Sequence, residues 1–102
     1  MTVYKCIGDD ENPLSAIAVQ LDHIARQVTE RAEAEGLWRL EREELQQIAR
    51  VTAWQAMQRA ARRGIPAAER RRYVLGAARS ECEQTRAALK RSSLAFAKHL
   101  AE

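Results

Sequence analysis

Apolar residues near the start of the chain recur at the spacing of an α-helix. They step by three or four positions, and they are Leu14, Ile17, Leu21, Ile24 and Val28. This spacing places them on one helical face, as in the a/d seam of a coiled coil. Asn12 and Pro13 suit the helix start, and Gly36 suits its left-handed C-terminal cap. We therefore predict a first helix over residues 13–35.

The residues ahead of this helix form a predicted N-terminal arm and turn, residues 1–12. The start of the arm is rich in β-forming side chains but is too short to build a sheet alone. We expect it to lie against the helices or to fray, or to pair as a strand with the same strand of a second copy. The rest of the chain, residues 13–102, is predicted to be one domain.

A second helix is predicted over residues 39–63 and ends at Gly64. One of its faces carries Leu45, Ile48, Thr52, Ala56 and Ala60, and Ala49 and Ala53 flank this face. A second apolar strip lies beside this face and carries Val51, Trp54, Met57 and Ala61. Two strips form a wide buried arc, which is typical of a helix that contacts two neighbours. We therefore expect Trp54 in the core and Ile65 in apolar contact just past a Schellman cap.

The third predicted helix, residues 66–101, is longer than the other two. Its seam carries Leu75, Ala78, Cys82, Thr85, Leu89, Ser92 and Phe96. As one rod it would be about 50 Å long, so its C-terminal half would extend past the other helices. Either this helix breaks near Ser92 and Ser93 and folds back as a fourth helix, or it docks on another chain. We favour docking, because exposed apolar stretches mark interaction surfaces.

These elements predict an all-α protein, an antiparallel bundle of three or four helices with a short N-terminal arm. The composition favours the same class, because Ala, Glu, Lys, Leu and Arg make up 56 of the 102 residues. Alanine supplies 19 of the 47 hydrophobic residues, and Leu, Ile, Val and Phe together supply 20. The core is therefore expected to be small.

Several compartments are disfavoured by the sequence. The longest run without a charged residue, 12–21, has ten residues, about half of what a membrane-spanning helix requires. Acidic residues precede any apolar stretch, so no secretory signal is predicted. Cys6 and Cys82 show neither a disulfide framework nor a metal-type spacing. We expect an intracellular, cytoplasmic protein with no membrane partner.

Charge is distributed unevenly along the chain. Residues 1–36 have a net charge of −4, whereas the rest of the chain has a net charge of +7. The basic side chains peak in a cluster that comprises Arg59, Arg62, Arg63, Arg70, Arg71 and Arg72. Guanidinium groups bind carboxylates and phosphates, so this cluster is the predicted partner-binding surface, with Trp38 as an aromatic anchor. A further row of cations lies along one flank of the third helix and comprises Arg72, Arg79, Arg86 and Lys90. The opposing interpretation is that such a flank is a solvated row that pairs with Asp22, Glu30 and Glu33 of the first helix.

Residue types that carry catalysis are present but scattered. His23 and His99 are far apart, and neither has a Cys, Asp or Glu at a recurring metal-ligand spacing. Ser92, Ser93 and Cys82 lack a nearby base, and the ungrouped glycines do not form a phosphate-binding loop. We therefore predict no catalytic, cofactor-binding or metal-binding residue and no small-molecule substrate.

The function that this pattern favours is binding. Our lead hypothesis is a non-catalytic intracellular protein-interaction module, an adaptor or an inhibitor of a larger assembly, whose partner has an acidic surface. The class includes phage and mobile-element proteins that act against host defence, such as anti-CRISPR proteins. The alternative is a basic helical nucleic-acid-binding protein, monomeric or dimeric. A weak helix–turn–helix pattern over residues 50–80 favours this alternative. A third hypothesis is self-association through the third helix.

Overall fold

The computed structural model describes residues 14–37 and 39–101, and every regular element in that part is helical. A short 3-10 turn is followed by three α-helices. The turn is Ser15–Ile17, and the helices are α1 (Ala18–Ala34), α2 (Arg42–Arg62) and α3 (Ala67–Ala101). The predicted all-helical class with three helices is therefore confirmed. The predicted arm, residues 1–12, and the predicted anchor Trp38 lie outside the described residues.

Two of the helices begin later than the sequence predicted. The chain before Ala18 forms a 3-10 turn, in which the Ile17 N–H donates to the Leu14 carbonyl oxygen at 3.1 Å. The helix α2 begins at Arg42 rather than at residue 39. The reason is burial, because Leu37 and Leu40 lie in the connection and are each only 5% exposed. Both side chains reach the core from a non-helical segment.

Both α1 and α2 end in the predicted Schellman caps. The glycine after each helix has a positive φ, 81° at Gly36 and 68° at Gly64. The Leu37 N–H donates to the Ala32 carbonyl oxygen at 2.8 Å, and the Ile65 N–H donates to that of Ala60 at 3.0 Å. These bonds satisfy carbonyl groups that a helix end leaves without partners, so each helix stops sharply and the chain reverses.

One core is shared by the three helices. The predicted seam of α1 is buried from Ile17 to Val28, and Leu14 packs against it. The helix α2 contributes a stripe of alanines without exposed surface, which are Ala49, Ala53, Ala56 and Ala60. The helix α3 contributes Val74, Ala78 and Cys82. Most of these side chains are small, as the alanine-rich composition predicted.

The predicted second strip of α2 is wrong for three of its four residues. Trp54 is 50% exposed, Val51 is 53% exposed and Ala61 is also exposed, whereas Met57 packs against the core as predicted. At 3.6 residues per turn, Trp54 lies about 140° around the helix from Ala49, which faces the core. Trp54 therefore lies outside the arc of α2 that α1 and α3 cover.

Contacts between side chains fix the direction of the helices. Asp22 of α1 pairs with Arg50 of α2, and the Cys82 thiol of α3 donates to the Leu45 carbonyl oxygen of α2. At the other end of α2, Arg59 reaches Tyr73 of α3. The chain therefore runs in opposite directions along α2 and α3, which lie side by side over most of α2. This does not match the near-perpendicular helices of the weak helix–turn–helix pattern.

The helix α3 is continuous through the serine pair, so the fourth helix that one prediction allowed is not formed by the described residues. With 35 residues it is about 52 Å long, against about 32 Å for the 21 residues of α2. Leu89 still packs against the core, but every described side chain over residues 90–100 is exposed. Leu94 and Leu100 are 61% and 69% exposed. The side chain of Phe96 lies outside the described part.

Among the described helices, no segment combines the length and the apolar character of a membrane span.

Two glycine substitutions are expected to change stability in opposite directions. At neither Gly64 nor Gly76 would an added Cβ come within 4 Å of another atom, so steric contact does not separate them. Gly64→Ala should lower the free energy of unfolding by about 1 kcal/mol, because the residue has a left-handed conformation. Gly76→Ala should raise it by about 0.5–1 kcal/mol, because alanine is the better residue inside a helix. Urea denaturation of both variants measures the two changes.

The exposure of Trp54 is tested by truncation. Leu45→Ala should lower the free energy of unfolding by about 2–5 kcal/mol, because Leu45 has no exposed surface. Trp54→Ala should cost clearly less than the roughly 3 kcal/mol typical of a buried tryptophan. Denaturant titration followed by circular dichroism compares the variants, and equal losses would show that Trp54 is a core residue after all.

Candidate functional site

The six arginines of the predicted partner-binding surface lie on both sides of the turn at Gly64. Arg59, Arg62 and Arg63 come from the last turn of α2 and the residue after it, and Arg70, Arg71 and Arg72 come from the first turns of α3. All of them are exposed except Arg59, which is half-buried. The reversal of the chain at the Schellman cap therefore gathers basic side chains from two helices at one end of the molecule.

On the α2 side of this end, two arginines donate hydrogen bonds to the hydroxyl group of Tyr73. The Arg59 Nε and the Arg63 Nη1 lie 3.4 Å and 3.5 Å from the Tyr73 hydroxyl oxygen, which accepts from both. The hydrogen bond from Arg59 lowers the pKa of the Tyr73 hydroxyl, and the charge of Arg63 acts in the same direction. Arg70 is held separately, because its Nε donates to the Ile65 carbonyl oxygen at 2.7 Å. These guanidinium groups are oriented by neutral acceptors.

The α1 side forms an open groove between α1 and α3. Its lining residues are Gln20, His23, Ile24, Ala68, Arg71, Arg72, Leu75, Gly76 and Arg79. The Arg79 Nη2 donates to the Gln27 side-chain oxygen at 3.2 Å. The Gln20 amide accepts from Arg71 when its oxygen faces that guanidinium. The structure thus divides the predicted cluster into a Tyr73 side and a groove side, and it adds Arg79 to the groove.

None of the six arginines has a carboxylate oxygen within 4.0 Å among the described residues. The acid that was expected to pair with this row, Asp22, instead pairs with Arg50 at 3.1 Å. Glu30 and Glu33 make no ion pair with any described residue. The predicted pairing with these three acids is therefore wrong in the described part of the chain, but Arg86 and Lys90 of the predicted row do pair with another acid of the first helix, Glu35. Glu69 is the one acidic residue among positions 59–72 and forms no ion pair with a described residue, so the six-arginine cluster keeps a net positive charge.

At the C-terminal end of α1, by contrast, the charged side chains form ion pairs. The Glu35 carboxylate accepts from the Arg86 Nη1 at 2.5 Å and from the Lys90 Nζ at 2.6 Å. The Glu83 carboxylate accepts from the Arg86 Nε at 3.0 Å and from the Arg31 Nη1 at 2.8 Å. These five side chains form one network that joins α1 to α3. Arg86 is its least exposed member, with 12% of its side chain accessible.

Glu35 occupies the C-cap of α1, where the helix dipole disfavours a negative charge. The two cations of α3 compensate for this placement. The hydrogen bond from Lys90 lowers the pKa of the Glu35 carboxyl, the bond and charge of Arg86 add to the effect, and desolvation opposes it. The hydrogen bond to Glu83 is the largest cause that raises the pKa of Arg86. The network therefore stabilises the ionised forms of Glu35 and Arg86.

The reactivity of the Cys82 thiol is determined by its burial in the core. Burial raises the pKa of the Cys82 thiol to about 11, so the thiol stays protonated at neutral pH and is a poor nucleophile. Its Sγ lies 3.7 Å from the Leu45 carbonyl oxygen inside the core, as expected of a small core residue. Within residues 14–37 and 39–101, no three His, Cys, Asp or Glu side chains are grouped so as to hold a metal ion.

Comparison with known proteins finds no match: no family model, no curated protein and no solved structure is similar to the chain.

The paired network predicts a pH dependence of stability. Because the pKa of Glu35 in the folded protein lies below the ordinary value of 4.5, its stabilising effect is complete above that pH. The effect is lost as the pH falls through the lowered value. Wild-type protein should therefore be more stable than Glu35→Gln near pH 7, and this difference in unfolding free energy should shrink as the pH falls below about 4.5.

Urea denaturation across pH measures the difference, with Glu30→Gln as the control. Glu30 is exposed and makes no ion pair among the described residues, so its variant should follow the wild type throughout. A wild-type advantage over Glu35→Gln that stays constant from neutral to acidic pH would contradict the prediction.

Proposed function

We propose that the protein is a non-catalytic, intracellular binding module built as an antiparallel three-helix bundle, whose arginine-rich end contacts an acidic surface of another protein. In this role it acts as an adaptor or as an inhibitor of a larger assembly. The observation that carries the proposal is the uncompensated cluster at the α2–α3 turn. The carboxylates that form ion pairs in the described part of the chain pair with other cations, and none lies within 4.0 Å of these arginines.

The geometry of the cluster supports a contact surface. A surface ion pair within a chain adds little to stability, so an unpaired arginine costs the fold little. A guanidinium group forms two parallel hydrogen bonds with a carboxylate, and arginine is enriched among the residues that dominate binding energy. The two helices place these groups on rigid backbone, which reduces the entropy lost when a partner binds.

The alternative function is nucleic-acid binding, and the same unpaired arginines favour it because they bind phosphate equally well. The two functions differ in salt dependence. Binding through about six phosphate contacts should weaken about a thousandfold or more between roughly 50 mM and 200 mM salt. Gel shifts with duplex and single-stranded DNA over this range test the alternative, and no shift at the lowest salt would remove it.

Self-association is a third candidate, and the exposed C-terminal end of α3 favours it. Leu94 and Leu100 project from a helical segment, residues 91–100, whose described side chains are all exposed. Sedimentation over a range of concentrations measures the oligomeric state. A monomer at every concentration would exclude this candidate.

Charge reversal tests the proposed contact surface. Arg62→Glu/Arg72→Glu removes two arginines that make no hydrogen bond or ion pair with any described residue, so the fold should be unaffected. We expect the double variant to lose about nine-tenths or more of the partner protein that wild type captures from its native host, as for substitutions of dominant interface residues. The captured amount should resist nuclease treatment.

The matched control is Arg91→Glu/Lys98→Glu, which changes the net charge equally on the exposed end of α3. This variant should capture the partner as wild type does. Retention by Arg62→Glu/Arg72→Glu, or loss of capture after nuclease treatment, would refute an acidic protein as the ligand of the arginine-rich end.

A further inference from the structure

The groove between α1 and α3 combines two chemical features that the rest of the arginine-rich end lacks. Its floor is apolar, because Ile24 is buried and Leu75 is half-buried beside it. Its rim is cationic, because Arg71, Arg72 and Arg79 line it and no lining residue is acidic. From Ala68 to Arg79 the groove follows about three turns of α3, or about 16 Å.

Gly76 keeps this groove open. A Cβ at this position would meet no atom within 4 Å, so the missing side chain leaves free space rather than a close helix contact. Its backbone is helical and has no positive φ that would require glycine. Glycine inside a helix costs about 0.5–1 kcal/mol relative to alanine. Neither packing nor backbone conformation therefore accounts for glycine here, whereas an open groove does.

We propose that this groove docks an acidic segment of the partner protein, with a bulky apolar side chain of that segment over Gly76 and its carboxylates on the arginine rim. The proposal rests on the proposed function and names the part of the surface that recognises the partner. An apolar side chain would bury the exposed parts of Leu75 and Ala68, and flanking carboxylates would pair with guanidinium groups that have no acidic partner among the described residues.

A peptide suits the groove better than a nucleic acid does. Proteins that bind single strands stack bases on several aromatic side chains, whereas His23 is the one aromatic ring that lines the groove. The rim arginines would bind phosphate as well as carboxylate, but the apolar floor of Ile24 and Leu75 favours an apolar side chain over a sugar–phosphate backbone. An acidic amphipathic segment matches both the floor and the rim, as in other helix-in-groove complexes.

The test uses a fluorescein-labelled peptide of about 12 residues, long enough for an 18 Å helix, with a central leucine among glutamates and alanines. Fluorescence anisotropy measures its affinity for wild type and for two variants that fill the groove, Gly76→Ala and Gly76→Gln. We expect affinity to fall with side-chain size, by about tenfold or more for Gly76→Gln. Both variants should be more stable than wild type, which separates lost binding from lost folding.

The rim and the probe supply the matched controls. Arg72→Glu should weaken binding about tenfold, and Arg91→Glu, with the same charge change on the far end of α3, should stay within about twofold of wild type. Changing the central leucine of the probe to serine should weaken binding to wild type but not to Gly76→Gln. Equal affinity of wild type and Gly76→Gln would overturn the proposal.

Two further outcomes would assign the groove to another occupant. A single-stranded DNA of equal length that binds more tightly than the peptide and displaces it would replace the peptide with a nucleic acid. The chain itself carries an acidic stretch, Asp9, Asp10 and Glu11, after apolar residues. If neutralising these three acids raises the affinity for the peptide, the chain's own N-terminal segment is the occupant, and the proposal is overturned.

The capture experiment separates this inference from the function on which it rests. If Gly76→Gln captures the partner as wild type does while Arg62→Glu/Arg72→Glu does not, the arginine-rich end binds the partner outside the groove. The groove proposal would then fail and the proposed function would stand. If both variants capture the partner fully, both proposals fail.

Discussion

The contact on which the fold depends is the alanine stripe of α2, where Ala49, Ala53, Ala56 and Ala60 have no exposed surface. A methyl group is the smallest side chain that still buries apolar area, so a stripe of alanines lets neighbouring helices approach closely. Most of the larger core side chains come from α1 and from the connection that carries Leu37 and Leu40, while α2 adds Leu45 and α3 adds Val74. The core is therefore narrow, with α2 in contact with both other helices.

A narrow core covers only one side of each helix and only part of α3. Trp54 consequently lies outside the arc that the other helices cover, and the last turns of α3 extend beyond the ends of α1 and α2. Where the apolar contact between α1 and α3 is limited, ion pairs join the two helices, from Arg31 and Glu35 of the α1 end to Glu83, Arg86 and Lys90. Apolar packing thus stabilises one part of the α1–α3 interface, and ion pairs stabilise another part.

The placement of charge links the fold to the proposed function. The acids near the C-terminal end of α1 and the cations of α3 pair with each other, and Asp22 pairs with Arg50. The arginines at the α2–α3 turn remain without acidic partners in the described residues. A chain with a net charge of only +3 therefore presents one end that is strongly positive. In the proposed function, such an end would attract and orient an acidic partner, and the apolar floor of the groove would add selectivity for peptide over polyanion.

Sequence alone determined the helical class, the α1 seam, both glycine caps and the cluster of six arginines. These features depend on residues within about two turns of one another, so local spacing encodes them. Tertiary structure decided the exposure of Trp54, the pairing of Asp22 with Arg50, and the groove that joins Ile24 to Leu75 and Arg79. Each of these joins residues that are distant in sequence or depends on which flank of a helix its neighbours cover. Spacing along one helix does not specify where another helix lies against it, because that depends on how closely side chains of all three can pack.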